Sequence, residues 1–265
     1  MTNCYNSGAI TLDATSNNAA GTAGANFAKM GGLVGAVTGL PTVFSNCYNS
    51  GNITSAKTLK YYGGCFGHIS SAINFDVWTN IRNSGDVTYP KGTPGGVMYI
   101  GGVAGCVDGS HTGTVKQWHN SGNIYAGADD TTVRAKRMFI GGIVGIINAT
   151  TFSYCSNTGN VIAPWYRYAS DINSWVGLIA GTRYYHTGSA GTSSPTFRYT
   201  DHCLVKGTIK RRKMDKSGAE ECTIASLEDV YKFAFAEPDS MEGDQDPTLY
   251  FTNISITDMP VEPAQ

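Results

Sequence analysis

The chain has 265 residues, enough to bury a substantial core; only 15% of them are charged, while Gly accounts for 33 and Tyr for 15. That composition suits short strands and tight turns and does not suit a helical bundle. A formal net charge of -1 gives no broad attraction to nucleic acid or an anionic membrane, and no apolar run is long enough to span a bilayer.

Taken in chain order, the sequence repeats. Thr2-Asn3-Cys4-Tyr5-Asn6-Ser7-Gly8 opens directly on a repeat with no apolar leader, so the chain is expected to continue a longer, exported protein on its N-terminal side. From Met30 to Ser55 comes one full period, and two half-motifs then alternate to about residue 210. The first half-motif is Gly31-Gly32-Leu33-Val34-Gly35, returning at Gly63 to Gly67, Gly101 to Gly105 and Gly141 to Gly145, and in worn form as Val176-Gly177-Leu178-Ile179-Ala180. The second is Asn-Ser-Gly, a polar residue, then Ile or Val, at Asn6 to Ile10, Asn49 to Ile53, Asn83 to Val87 and Asn120 to Ile124. Asn157 to Val161 is a variant, and Val205-Lys206-Gly207-Thr208-Ile209 the weakest copy. From the first motif to the second the offset is 17 to 21 residues in four cycles and 30 in the last, so length varies at a few corners, as in a stacked unit.

Both half-motifs are rich in Val, Ile, Thr, Tyr and Phe between Gly and Asn turn signals, which predicts strands. No 3.6-residue apolar period precedes residue 220, which argues against helical solenoids, and three short strands per turn are expected instead: a Gly-Gly strand, a strand ending at Asn-Ser-Gly, and a strand carrying Ile53 or its equivalents. The fold class is all-β, a right-handed parallel β-helix of about six coils, with handedness taken from the preference for right-handed parallel crossovers.

The columns fit that stacking. Asn6, Asn49, Asn83, Asn120 and Asn157 would lie about 4.8 Å apart as a structural ladder in which each carboxamide donates to one neighbour and accepts from the other. Ile10, Ile53, Val87, Ile124, Val161 and Ile209 form an apolar column expected to point inward. Cys4, Cys47, Ile81, Trp118, Cys155 and Cys203 share a column, so these cysteines read as small buried hydrophobes; a disulfide between rungs at Cys4 and Cys47, or at Cys155 and Cys203, stays open on Cα spacing. Of seven Cys, none lies in a CxxC or at zinc-ligand spacing from a His, so no metal and no cofactor is expected. Gly35, Gly67, Gly105 and Gly145 mark places where a side chain would collide or where φ must be positive.

Gly32-Leu33-Val34-Gly35, Gly102-Val103-Ala104-Gly105 and Gly142-Ile143-Val144-Gly145 resemble the GLUG motif, and Asn46-Cys47-Tyr48-Asn49-Ser50-Gly51 resembles the repeats that accompany it. The resemblance covers about residues 1 to 210. It implies an exported solenoid of bacterial surface proteins, as in adhesins and the non-catalytic regions of IgA-cleaving metallopeptidases. The zinc motif of those peptidases is absent, and their activity is not carried over.

After residue 210 the pattern changes, giving a repeat domain over 1–210 and a capping segment over 211–265. Lys206, Lys210, Arg211, Arg212, Lys213 and Lys216 form a basic run, read as a solvated loop or charged edge, with contact to an anionic glycan as the alternative. Ser226 followed by Asp229 predicts a helix start, with Leu227, Val230, Tyr231 and Ala234 on one face. Thr248 to Thr257 reads as a strand, and the acidic tail as loose.

Enzyme chemistry on such a fold needs clustered acids. Asp13, Asp76, Asp86, Asp108, Asp129, Asp130, Asp171 and Asp201 form no acidic column, and Asp129-Asp130 reads as a polar loop. The more promising surface is aromatic: Trp165, Tyr166 and Tyr168 in one variable loop, and Arg183, Tyr184 and Tyr185 at the start of the long insertion, could form a ligand-binding platform. His186 has no partner for catalysis. The expected function is a non-enzymatic cell-surface module, an adhesin or rigid spacer presenting corner loops to a host or bacterial glycan or protein. A polysaccharide lyase or glycoside hydrolase is the alternative, and a subunit of a larger fibre or particle the third reading.

Overall fold

Gly and Asn cut this sequence into strands of two to six residues that cannot bury a face alone, and the structure solves this by pairing each cycle with the next. The computed structural model describes residues 1–13, 29–38, 43–56, 59–70, 73–89, 97–108, 111–127, 137–147, 151–163, 173–181, 199–212, 218–235 and 251–259. Within these the protein is all-β, built of stacked and almost wholly parallel sheets, with one short α-helix near the C-terminal end.

Four of the sheets gather the strands of the two half-motifs from successive cycles. One contains the Asn strands, with Asn6 opposite Asn49, Asn49 opposite Asn83, Asn83 opposite Asn120 and Asn120 opposite Asn157. A second contains the Ile strands, pairing Ile10, Ile53, Val87, Ile124, Val161 and Ile209 in that order. The other two lie on either side of the Gly-Gly motif. Lys29–Gly31, Tyr61–Gly63, Val97–Gly101, Arg137–Gly141 and Asn173–Gly177 form one, and Val34–Val37, Phe66–Ile69, Ala104–Val107 and Val144–Ile147 the other. The sequence pattern makes the Gly-Gly motif one strand of three per cycle; the motif is instead a corner between two strands, which gives these four, and in the later cycles a further parallel sheet of Val115–Lys116, Thr151–Ser153, Tyr199–Asp201 and Phe251–Thr252 adds to them. Even the corner is paired between cycles, since Val34 N donates to Cys65 O at 3.0 Å and Phe66 N to Val103 O at 2.9 Å.

The Gly columns are explained by backbone crowding. A Cβ at Gly105 would lie 2.5 Å from Tyr62 O and 2.6 Å from Gly67 O, and one at Gly67 would lie 2.5 Å from Gly35 O. The second Gly of each motif answers to the other half-motif: a Cβ at Gly32, Gly64, Gly102 or Gly142 would lie 2.3, 2.3, 2.3 or 2.4 Å from the Cγ of Asn49, Asn83, Asn120 or Asn157. The two half-motifs are therefore opposite walls of one cross-section.

One core runs the length of the stack. Ile53, Val87, Ile124, Val161 and Ile209 are fully buried, as are Cys47, Ile81, Trp118, Cys155 and Cys203 from the neighbouring column, while Cys4 on the first rung is only partly covered. All seven cysteines are free thiols. Trp78 and Trp118 fill the middle, and Trp118 Nε1 donates to Trp78 O at 2.9 Å, satisfying its buried N–H. Immediately before the Cys column, Asn3, Asn46, Asn80, Gln117, Tyr154, His202 and Asn253 all have φ between 50° and 58°. Asn tolerates that left-handed turn, and Asn80 Nδ2 donates to Asn46 Oδ1 at 2.7 Å to extend a second polar ladder.

The C-terminal end of the stack is closed by three separate pieces. Ala219–Thr223 adds antiparallel to Thr208–Arg212 in the Ile sheet. The helix Leu227–Phe233 starts with a capping box in which Ser226 and Asp229 satisfy each other's backbone N–H groups. Its exit supplies Phe233 O and Ala234 O to Leu178 N and Ile179 N, both at 2.8 Å. Phe251–Thr252 then pairs with Tyr199–Asp201. The helix face differs from the sequence reading: Val230, Phe233 and Ala234 are buried, whereas Leu227 is 41% exposed because it sits in the first turn, away from the last rung. The basic run differs as well. Lys206 Nζ donates to Thr257 O, and Arg211 is buried in a strand, with Nε 2.8 Å from Glu220 Oε1 and Nη1 2.9 Å from Val176 O.

Candidate functional site

The proposed aromatic platform of Trp165, Tyr166, Tyr168, Arg183, Tyr184 and Tyr185 lies outside the described residues, as do His186, Asp129, Asp130 and Asp171. The structure brings Asn6, Asn49, Asn83, Asn120 and Asn157 together in one column. Each Nδ2 reaches the next Oδ1 at 2.7, 2.8, 2.9 and 2.9 Å and also the carbonyl of the Gly two residues on. These amides are consumed by one another and face the core, so they are scaffold. The acids are likewise engaged: Asp86 Oδ1 accepts from Asn123 N at 2.8 Å, and Asp76 Oδ1 from Thr114 N at 3.2 Å.

Outside the core, the two arms of the Gly-Gly corner carry a different set of side chains. Two residues before the first Gly stand Lys29, Tyr61, Tyr99, Phe139 and Trp175, held opposite one another by strand register. Their rings stack with centroids 5.4, 5.3 and 4.6 Å apart and interplanar angles of 12°, 14° and 14°. On the other arm the equivalent outward column is Ala36, His68, Cys106 and Ile146. Tyr61 lies flat on His68 at 4.2 Å, so the outer faces of the two arms converge into a concave angle. Tyr61, Cys106, Phe139, Ile146 and Trp175 form a small apolar cluster separate from the main core.

One end of this column is charged. Lys60 Nζ lies 5.0 Å from the Tyr61 ring centre and Lys29 Nζ 5.7 Å from it, within cation-π range. Beside them, His68 Nε2 is 2.9 Å from Asp108 Oδ1. His68 is 7% exposed, and its Nδ1 has no hydrogen-bond partner among the described residues. Cys106 is 2% exposed; burial, then the Asp108 charge, pushes its thiol well above the ordinary range. Burial alone would raise the Asp108 carboxyl, but the His68 hydrogen bond and the charges of His68 and Lys60 outweigh it and hold the acid below its ordinary value. A ring nitrogen of His68, Cys106 Sγ and an Asp108 oxygen lie within 4.8 Å of one another, the one set of this kind among the described residues.

Sequence reasoning noted Asp108 only as an isolated acid and did not single out His68, Cys106 or the Tyr61 to Trp175 column. The signal was positional. His68 and Cys106 each follow the third Gly of their motif, and the aromatics each precede the first Gly by two. Comparison with protein-family models, curated proteins and solved structures finds no match.

Proposed function

We propose that residues 1–210 form a right-handed parallel β-helix that serves as a non-enzymatic module of a bacterial cell surface, an adhesin or rigid spacer presenting its corner loops to a glycan or protein. The observation that carries this reading is the division of labour along the chain. Strands of successive cycles pair in register while the differences in cycle length fall between strands, above all over residues 14–28 and 182–198, and the aromatic residues 165–168 fall in another such connection. A stack whose polar rungs satisfy one another is stiff along its axis, and variable connections leave recognition free to change without touching the core. The resemblance of Gly32-Leu33-Val34-Gly35 and its copies to the GLUG motif supports the surface setting.

The test is to replace residues 164–172 and 182–198, separately, with short Gly/Ser linkers and to screen the chain and both variants on glycan and surface-protein arrays. Binding by the parent chain that at least one replacement abolishes, at unchanged circular dichroism and melting temperature, is the expected result. Release of reducing sugar that a single Asp substitution abolishes would refute the reading in favour of a carbohydrate-active enzyme.

A further inference from the structure

We propose that His68, Cys106 and Asp108 form a binding site for a divalent transition-metal ion of the zinc class, on the outer face of the Gly-Gly corner. His68 and Cys106 are register partners on adjacent strands, so the backbone ladder fixes the spacing of two of the three ligands before any ion arrives. Asp108 follows Cys106 by two residues and completes the set, with the three ligand atoms within 4.8 Å of one another. Metal–nitrogen and metal–sulfur bonds of about 2.1 and 2.3 Å at a tetrahedral angle place neighbouring ligand atoms roughly 3.6 Å apart. Small side-chain rotations on a rigid sheet therefore close the site.

Two further observations point the same way. The Tyr61 ring stacked at 4.2 Å and 11° fixes the plane of the His68 imidazole, whose Nε2 lies beside Asp108. The Asp108 side chain is 41% exposed while that of His68 is 8% exposed, so the acid marks the solvent side, where an ion can enter and water can fill the remaining position. One sulfur, one imidazole nitrogen and one carboxylate oxygen suit zinc or cobalt and not calcium or magnesium, which take all-oxygen sets. Binding replaces the thiol proton of Cys106 by the metal and releases that proton to solvent. The site is independent of the surface-module reading above.

The experiment titrates the reduced full-length chain with Co2+ and follows absorption. The expected result is one Co2+ per chain, with a near-ultraviolet thiolate-to-cobalt band that one equivalent of Zn2+ abolishes. Cys106→Ser removes that band, and His68→Gln and Asp108→Asn, each removing a direct ligand, lower affinity by at least the roughly 10-fold that losing even an outer-shell partner costs. Asp108 is exposed enough that its variant retains the fold even if the buried substitutions do not. Absence of a thiolate band at millimolar Co2+ overturns the proposal. So does a band of unchanged intensity and affinity in the folded Asp108→Asn variant, because another cysteine would then be the ligand.

Discussion

Replacing Asn83 by Ala removes the middle rung of the carboxamide ladder. Asn83 is 1% exposed, donates to Gly85 O at 2.7 Å and to Asn120 Oδ1 at 2.9 Å, and accepts from Asn49 Nδ2 at 2.8 Å. The substitution leaves one amide proton of Asn49, the Oδ1 of Asn120 and the Gly85 carbonyl without these partners, in a place water does not reach. At about 1–3 kcal/mol for each buried group left unpaired, and with partial relaxation, the loss is roughly 3–6 kcal/mol. The same change at Asn6, which is only partly buried and sits at the open end of the ladder, removes bonds to Asn49 Oδ1 and to the exposed Gly8, whose groups water can take over; one buried acceptor is orphaned, at about 1 kcal/mol. With a urea slope of about 3 kcal/mol/M, the midpoint falls by about 1–2 M for Asn83→Ala and about 0.3 M for Asn6→Ala. The isosteric Asn83→Asp separates hydrogen bonding from volume: it sets an oxygen against Gly85 O and Asn120 Oδ1 and destabilises at least as much as Ala. Equal midpoints for Asn6→Ala and Asn83→Ala would refute the view that the ladder is a cumulative, buried hydrogen-bond chain.

Gly105→Val forces a side chain into the Tyr62 and Gly67 carbonyls, where even a Cβ would stand at 2.5 and 2.6 Å, and is expected to cost more than about 3 kcal/mol and lower soluble yield, read by chemical denaturation. His119 has its pKa lowered to about 4, first by burial and then by the Arg82 charge. The unfolded chain takes up a proton there near pH 6.5 that the folded chain refuses until about pH 4, so stability falls as pH drops through that window. An NMR titration of the ring checks the value, and His119→Gln flattens the urea midpoint across the same window. The five buried thiols, Cys47, Cys65, Cys106, Cys155 and Cys203, are expected to resist an aromatic disulfide reagent until denaturant is added, while Cys4 and Cys222 are accessible in the native chain.

The repeat was legible because stacking turns a sequence offset into a spatial column. The Asn and Ile columns, the Gly positions and the Ser226 cap could be read directly, since each rests on local geometry repeated many times. The Gly-Gly corner was misread as a strand because apolar residues on both sides of a sharp bend look continuous in sequence; only the crowding at Gly63 and Gly64 shows that the chain turns there, with a Cβ at those positions 1.9 Å from Phe66 O and 2.0 Å from Gly102 O. His68 and Cys106 stayed hidden for another reason. They lie 38 positions apart, far outside the spacings by which metal ligands are recognised on one element, and only register across two cycles makes them neighbours.

The worn fifth cycle tests the idea that the two half-motifs answer to each other. Leu178 follows Gly177, which pairs with Gly141, so Leu178 occupies the place that Gly142 holds one rung earlier; Val205 pairs with Asn157 and takes the Asn place. In the four preceding cycles a Gly faces an Asn, and where the Asn is lost the Gly is lost with it, both replacements being fully buried and apolar. The requirement is mutual, because the amide needs the space that a Cβ would fill. Val205→Asn alone should press a carboxamide against Leu178, and Leu178→Gly alone should open a cavity at about 2–5 kcal/mol. Together they should recover at least about 1 kcal/mol of the summed loss, because the new side chain can take up the Asn157 Nδ2 proton and lengthen the ladder by one rung. A double-mutant cycle in urea measures that coupling. Strict additivity would mean that Gly and Asn are each demanded by their own backbone and that their joint disappearance is coincidence.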